Sequence, residues 1–173
     1  MAEHSYTSRR ELDQYVFHPA VTLLVPVAAV LLQVELPKLW RPLEILDLPL
    51  VIVIFFALAR RSPIAGTVTG TVIGLFQDGL TNLPLGINGI AKAIIGYIAA
   101  SVGFAVDVEN LVNRVAMNFV FCLLQSLLLY FISRFLVADP RPLRPVHELL
   151  RAVCNTGVAI PIFFLLDNFR HRD

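Results

Sequence analysis

The sequence predicts an all-α, polytopic membrane helix bundle of about six transmembrane helices. Three observations carry this expectation. Apolar residues make up 57% of the 173 residues and charged ones only 16%. With a mean hydropathy of +0.72, the chain is more apolar than a soluble domain of this size needs to be. The apolar residues fall in runs near the roughly 20 residues that a helix needs to cross a ~30 Å hydrocarbon layer. Basic residues, or loops rich in proline, glycine and asparagine, separate these runs.

Residues 1–17 are polar and charged and are expected in the cytoplasm or at the membrane interface, with no signal-peptide run before the first span. Ser8 and Glu11 have capping-box spacing; a short interfacial helix with Tyr15 and Phe17 toward lipid, and a frayed terminus, both stay open. The six-helix transmembrane domain is expected over 18–167. Its first span covers 19–36 around Pro26, and its second covers 43–59, with Glu44 and Asp47 placed at the interface. The third follows Arg60, Arg61 and Ser62, starts at Pro63, a residue suited to a first helical turn, and ends at about 78–80. The loop TNLPLGIN comes next, since Asn82, Pro84, Gly86 and Asn88 favour turns. A fourth span is expected at 87–106 and a fifth at 111–137. The segment ADPRPLRP then interrupts helix, a sixth span covers 147–166 around Pro161, and 168–173 form a short polar tail. Basic residues divide almost evenly between the two sides. Orientation therefore rests on the pairs Arg9–Arg10 and Arg60–Arg61, which favour a cytoplasmic side for both termini.

Composition also removes function classes. Net charge is +1 and no basic run carries interleaved aromatics, which argues against nucleic-acid binding. Cys122 and Cys154 lie in apolar segments without metal-ligand spacing and read as small buried residues. HExxH, GxSxG and Asp-rich metal motifs are missing, and His4, His18, His147 and His171 sit at termini or span edges. No catalytic residue, metal or cofactor is expected, and the chain is read as non-enzymatic.

The most informative stretch is GTVTGTVIGLFQDGL. Gly66, Gly70, Gly74 and Asp78 recur every four residues along one stripe of the third span, where missing side chains let another backbone approach closely. It reads as a helix-packing or partner-binding face first and a ligand groove second, with Thr67 and Thr71 beside it. Asp78 needs a partner inside a membrane. Lys92, on one face with Gly89 and Gly96, offers itself, and an Asp78–Lys92 ion pair is expected to join spans three and four. Gly103 continues that smooth stripe. Arg114 with Asn118, and Arg151 with Asn155, pair at i, i+4 on the last two spans. Asn118, Cys122, Gln125 and Ser126 form a polar strip. These polar residues either line a cavity or hydrogen-bond neighbouring helices.

The strings LPLVIVIFFALARRSP, GLFQDGL and NLPLGINGIAKAIIGYI together resemble the rod shape-determining protein MreD family of bacterial inner-membrane proteins. The matching positions are Gly74, Leu75, Asp78, Pro84, Leu85, Gly86 and Asn88. The resemblance implies a non-enzymatic, multi-pass scaffold of the bacterial inner (cytoplasmic) membrane. It would serve side-wall peptidoglycan elongation, binding the single-span protein MreC and, indirectly, MreB, RodA and a class B penicillin-binding protein. It also implies a fold similar to the S component of energy-coupling-factor transporters. A substrate-binding S component of a small-molecule, vitamin-type transporter is the alternative. The first span, with Ala20, Ala28 and Ala29, lacks the AxxxA spacing by which such components dock, which weakens it.

Overall fold

The computed structural model describes residues 15–81, 84–108, 110–136, 144–168 and 170–172. Each apolar run forms a helix: α1 (Pro19–Leu39), α2 (Leu48–Arg60), α3 (Pro63–Thr81), α4 (Ile87–Val102), α5 (Leu111–Leu136) and α6 (Pro145–Asp167). A short 3₁₀ helix, Arg41–Ile45, leads into α2. Two short strands, β1 (Tyr15–Phe17) and β2 (Arg170–Arg172), pair antiparallel with Tyr15 opposite Arg172. Ser8 and Glu11, where a short interfacial helix and a frayed terminus are both open, and most of the Arg/Pro-rich loop lie outside the described residues.

α2 is the axis of the bundle. Its sequence, LPLVIVIFFALA, is apolar on every side, and every residue from Leu48 to Ala59 is buried. A helix without a polar face must be surrounded, and the other five helices all touch α2. At one end Phe17, Phe55 and Phe56 form an aromatic cluster, with Phe17 edge-on to Phe56 at 5.1 Å and 86°. Phe163 of α6 closes it at 5.5 Å from Phe55. Phe17 is therefore core, where the interfacial-helix alternative has it facing lipid; in the β1–β2 ladder it pairs with Arg170.

Arg61, with φ 51° and ψ 29°, turns the chain sharply after α2. Ser62 Oγ accepts from the Ala65 N–H at 3.4 Å and starts α3 behind it. Arg60 donates to Thr22 Oγ1 of α1 at 2.6 Å. The helices run up and down, so that the ends of α1, α3 and α5 lie with the starts of α2, α4 and α6.

Four helical segments are long and apolar enough to cross a membrane: Pro19–Leu39, Arg41–Arg60, Leu111–Leu136 and Pro145–Asp167. α4, with 16 residues, extends about 24 Å, short of a ~30 Å core. Glycine and threonine dilute the hydropathy of α3. Large apolar residues cover the outside as well as the core: Leu23, Leu24, Val120 and Phe135 are exposed, while Asp47, Asp78, Lys92, Asn118 and Asn155 are buried beside the apolar α2. So apolar an exterior, with charges held inside, suits lipid and is a liability in water.

Candidate functional site: a polar hub on the central helix and the cavity beside it

The start of α2 gathers four other helices, three of them through one carboxylate. Asp47 caps α2, its Oδ1 accepting from the Leu50 N–H at 3.1 Å. Its Oδ2 accepts from Gln125 Nε2 of α5 at 2.6 Å, Lys92 Nζ of α4 at 3.0 Å and Arg151 Nη2 of α6 at 3.2 Å. Its own N–H donates to Asn155 Oδ1 at 2.6 Å. From α1, Gln33 accepts from the Leu48 N–H at 3.0 Å and donates to the Leu46 carbonyl at 2.8 Å. Asn155 Nδ2 donates to the carbonyls of Ile45 and Arg151 at 3.2 and 2.8 Å. The backbone polar groups that the 3₁₀–α2 junction frees are thus met by side chains, as a waterless interior requires.

Asp78 forms a second capping site. Gly86, with φ +104°, stands at the N-cap of α4 and has no side chain to satisfy the first turn. Asp78 Oδ2 accepts instead from the N–H groups of Gly86, Asn88 and Gly89 at 2.9, 3.1 and 3.3 Å. Its Oδ1 accepts from Asn88 Nδ2 at 2.8 Å. A carboxylate on unpaired N–H groups at a helix N-terminus is favoured both by hydrogen bonding and by the helix dipole. Replacing Asp78 with alanine should therefore cost about 2 kcal/mol or more. Asp78→Asn, which keeps one acceptor, should recover part of it; the midpoints of thermal unfolding in detergent test both.

The Asp78–Lys92 ion pair does not form. Lys92 lies about 7 Å further along α4 than the turn Asp78 caps, and its ammonium extends to Asp47. Asn88 links the two sites, its Oδ1 accepting from Lys92 Nζ at 3.4 Å. Asp47, placed at the interface by the sequence, is 1% exposed. A double-mutant cycle on unfolding midpoints should accordingly show strong coupling between Asp47 and Lys92 and less between Asp78 and Lys92.

The glycine stripe lies against α4 of the same chain. A Cβ on Gly66 would fall on the Gly96 carbonyl, on Gly70 the Lys92 carbonyl and on Gly74 the Asn88 carbonyl. Gly96 meets Gly66 reciprocally, and Gly89 packs on Leu75. This face is filled by the chain's own helix and is not open to a partner protein. Pro84 is exposed on the connecting turn.

Of the remaining polar residues, Arg114 makes a bidentate ion pair with Asp167 at 2.9 and 2.8 Å, at the opposite end from the hub. Asn118 donates to Thr156 Oγ1 at 3.4 Å. Arg114, Asn118, Gln125 and Asn155 thus tie helices together, and only Arg151 of the five cavity candidates borders the large cavity. That cavity, about 700 Å³, opens between the ends of α1, α3 and α5 and the starts of α4 and α6. Gln77, Asn88, Ser126 and Glu148 share its wall with Leu80, Ile87 and Leu129. Glu148 accepts from Ser126 Oγ at 2.6 Å and lies 3.9 Å from Arg151. Among the described residues no group of acidic, histidine or cysteine side chains is arranged to hold a metal ion. Compared with protein-family models, with curated proteins and with solved structures, the chain matches none.

Proposed function

We propose that the chain is a non-enzymatic scaffold of the bacterial inner membrane, acting in side-wall peptidoglycan elongation by binding MreC and, through it, MreB, RodA and a class B penicillin-binding protein. The observation that carries the non-catalytic part is the use of its buried charges. The two buried carboxylates among the described residues, Asp47 and Asp78, both cap helices, and Lys92 is spent on Asp47. None is left beside a nucleophile as a general base. The elongation part rests on the motif residues Gly74, Asp78, Gly86 and Asn88, which together build the α3–α4 hairpin.

The reading includes a six-span arrangement similar to an S component. If α2 crosses the bilayer while buried all round, α3 and α4 have to cover it at the same depth, and their tight mutual packing suits that. Affinity purification of the chain from native membranes should recover MreC, and depletion should round the cells. Rod-shaped depleted cells, or recovery without any wall-elongation protein, would overturn the proposal.

The cavity favours a second reading, a small-molecule-binding transporter component. Asn118 and Gln125 are not its contacts in that case, since neither reaches the cavity wall. A soluble molecule released on denaturing the purified protein would support this reading over the first.

A further inference from the structure

Most polar groups in the cavity wall are already spent. Gln33 and Asn88 use both ends of their amides on the hub and the α4 cap. Arg151 is held by Asp47 and Glu148, and Glu148 also accepts from Ser126. Lys38 donates to Glu35 at 2.6 Å. The Glu44 carboxylate, the Tyr130 hydroxyl and Ser133 Oγ, by contrast, have no partner among the described residues. Ser133 is only 4% exposed, yet its oxygen is reachable from the cavity, unlike that of Gln77. Ser126, Tyr130 and Ser133 follow at intervals of four and three residues. One face of α5 is therefore turned to the cavity over about 10 Å of its length.

Charge decides the class of ligand. Both cations of the wall, Arg151 and Lys38, are tied to carboxylates, and Arg41 and Arg134 are not part of it. Glu44 is the carboxylate left over. The backbone adds to its field. α1, α3 and α5 end at the cavity, and each helix C-terminus carries a partial charge of about −0.5. The opposing starts of α2 and α4 already hold Asp47 and Asp78, and α6 has Glu148 in its first turn. α3 has no basic residue in its last turn to offset its carbonyls. An anion meets repulsion in such a place; a cation is favoured by Glu44, by the α3 terminus and by the aromatic ring of Tyr130. Ser133 Oγ is free to accept from an ammonium. A metal ion fits less well, because the acidic, histidine and cysteine side chains among the described residues form no ligating group. A volume of about 700 Å³ with Val34, Pro37 and Leu129 in the wall suits an organic molecule.

We infer that the cavity is a binding site for a small organic monocation, an amine carrying an alkyl or aryl group. Its ammonium belongs with Glu44, Tyr130 and Ser133, and its apolar part with Val34, Pro37 and Leu129. This assignment rests on the small-molecule reading of the cavity and names the ligand class for it.

The test uses the full chain in phosphatidylcholine nanodiscs and three probes of similar shape: phenethylamine, a cation at neutral pH, phenethyl alcohol, which is uncharged, and phenylacetate, an anion. Equilibrium dialysis reads binding above that to empty nanodiscs, and the melting midpoint reads stability. Phenethylamine should bind about ten-fold more tightly than the alcohol, the order of one carboxylate contact and one cation–π contact together, and phenylacetate more weakly than either. The preference should shrink at high salt. Glu44→Gln should erase most of it without moving the midpoint of the ligand-free protein, since Glu44 is exposed and unpaired. Ser133→Ala should weaken phenethylamine binding and leave the ligand-free protein as stable as the parent. Equal binding of amine and alcohol, tighter binding of phenylacetate, no binding of any probe, or a preference that survives in Glu44→Gln would overturn the assignment. A neutral or anionic molecule released from the native protein would also overturn it, while leaving the small-molecule reading standing. Recovery of MreC bears on neither.

Discussion

Replacing Asp47 with alanine should unfold or severely destabilise the bundle, at a cost of about 3–5 kcal/mol, the range for removing one partner of a buried ion pair. The carboxylate faces two cations, Lys92 at 3.0 Å and Arg151 at 3.2 Å, and its loss leaves Lys92 buried without a counter-charge. It also withdraws the acceptor for Gln125 and the cap of α2. Interhelical hydrogen bonds in membranes average only about 0.6 kcal/mol. Loss of one such bond would not be decisive; the stranded ammonium is what makes this site different. Asp47→Asn should be nearly as harmful, since it keeps a capping oxygen but loses the charge. Combining Asp47→Asn with Lys92→Met should restore much of the stability, because Arg151 is one-quarter exposed and also borders Glu148. Fluorescence-detected melting of a tagged protein in detergent checks all three. A double variant no better than Asp47→Asn alone would mean that the ion pair does not carry the effect.

Asp47 is buried although its place beside an apolar run points to the interface. A charge beside an apolar run in a membrane protein is ordinarily at the interface, and Glu44 and Asp47 fit that pattern. The signal against it was in the run itself. LPLVIVIFFALA has no polar face, so it calls for partners on all sides, and a capping residue at the head of such a helix is drawn inside with it. Asp47 followed by Leu48 and Pro49 is a helix start, with proline in the first turn. The apolar runs marked the six helices because length and hydropathy act locally. Their mutual arrangement depends on contacts between residues 45 to 110 positions apart, such as Lys92 with Asp47 and Asn155 with Ile45, which no local pattern carries. The same holds for the β1–β2 ladder, where three-residue strands at opposite ends of the chain pair without a distinctive sequence.

Glycine periodicity, by contrast, was legible, and it supports the second large effect. Gly70→Ala should separate α3 from α4, because the new methyl falls on the Lys92 carbonyl and close to the Ala93 nitrogen. Backbone cannot rotate aside as a side chain can. The helices have to move apart, and that displacement also loosens Asn88 and Lys92 on the Asp78 and Asp47 sites. Overpacking in a well-filled core costs about 1–3 kcal/mol; here the upper end or beyond is expected, and Gly70→Leu should prevent folding altogether. Gly66→Ala and Gly74→Ala meet carbonyls in the same way and should behave alike. Gly79 and Gly157 provide the contrast. Both lie in helices and a methyl on either meets nothing within 4 Å. Alanine there should leave the melting midpoint unchanged or raise it by the equivalent of about 0.5–1 kcal/mol, the difference in helix propensity. Stripe variants that melt like the Gly79 and Gly157 variants would show that α3 and α4 are not in backbone contact, and the hairpin on which both capping sites depend would have to be redrawn.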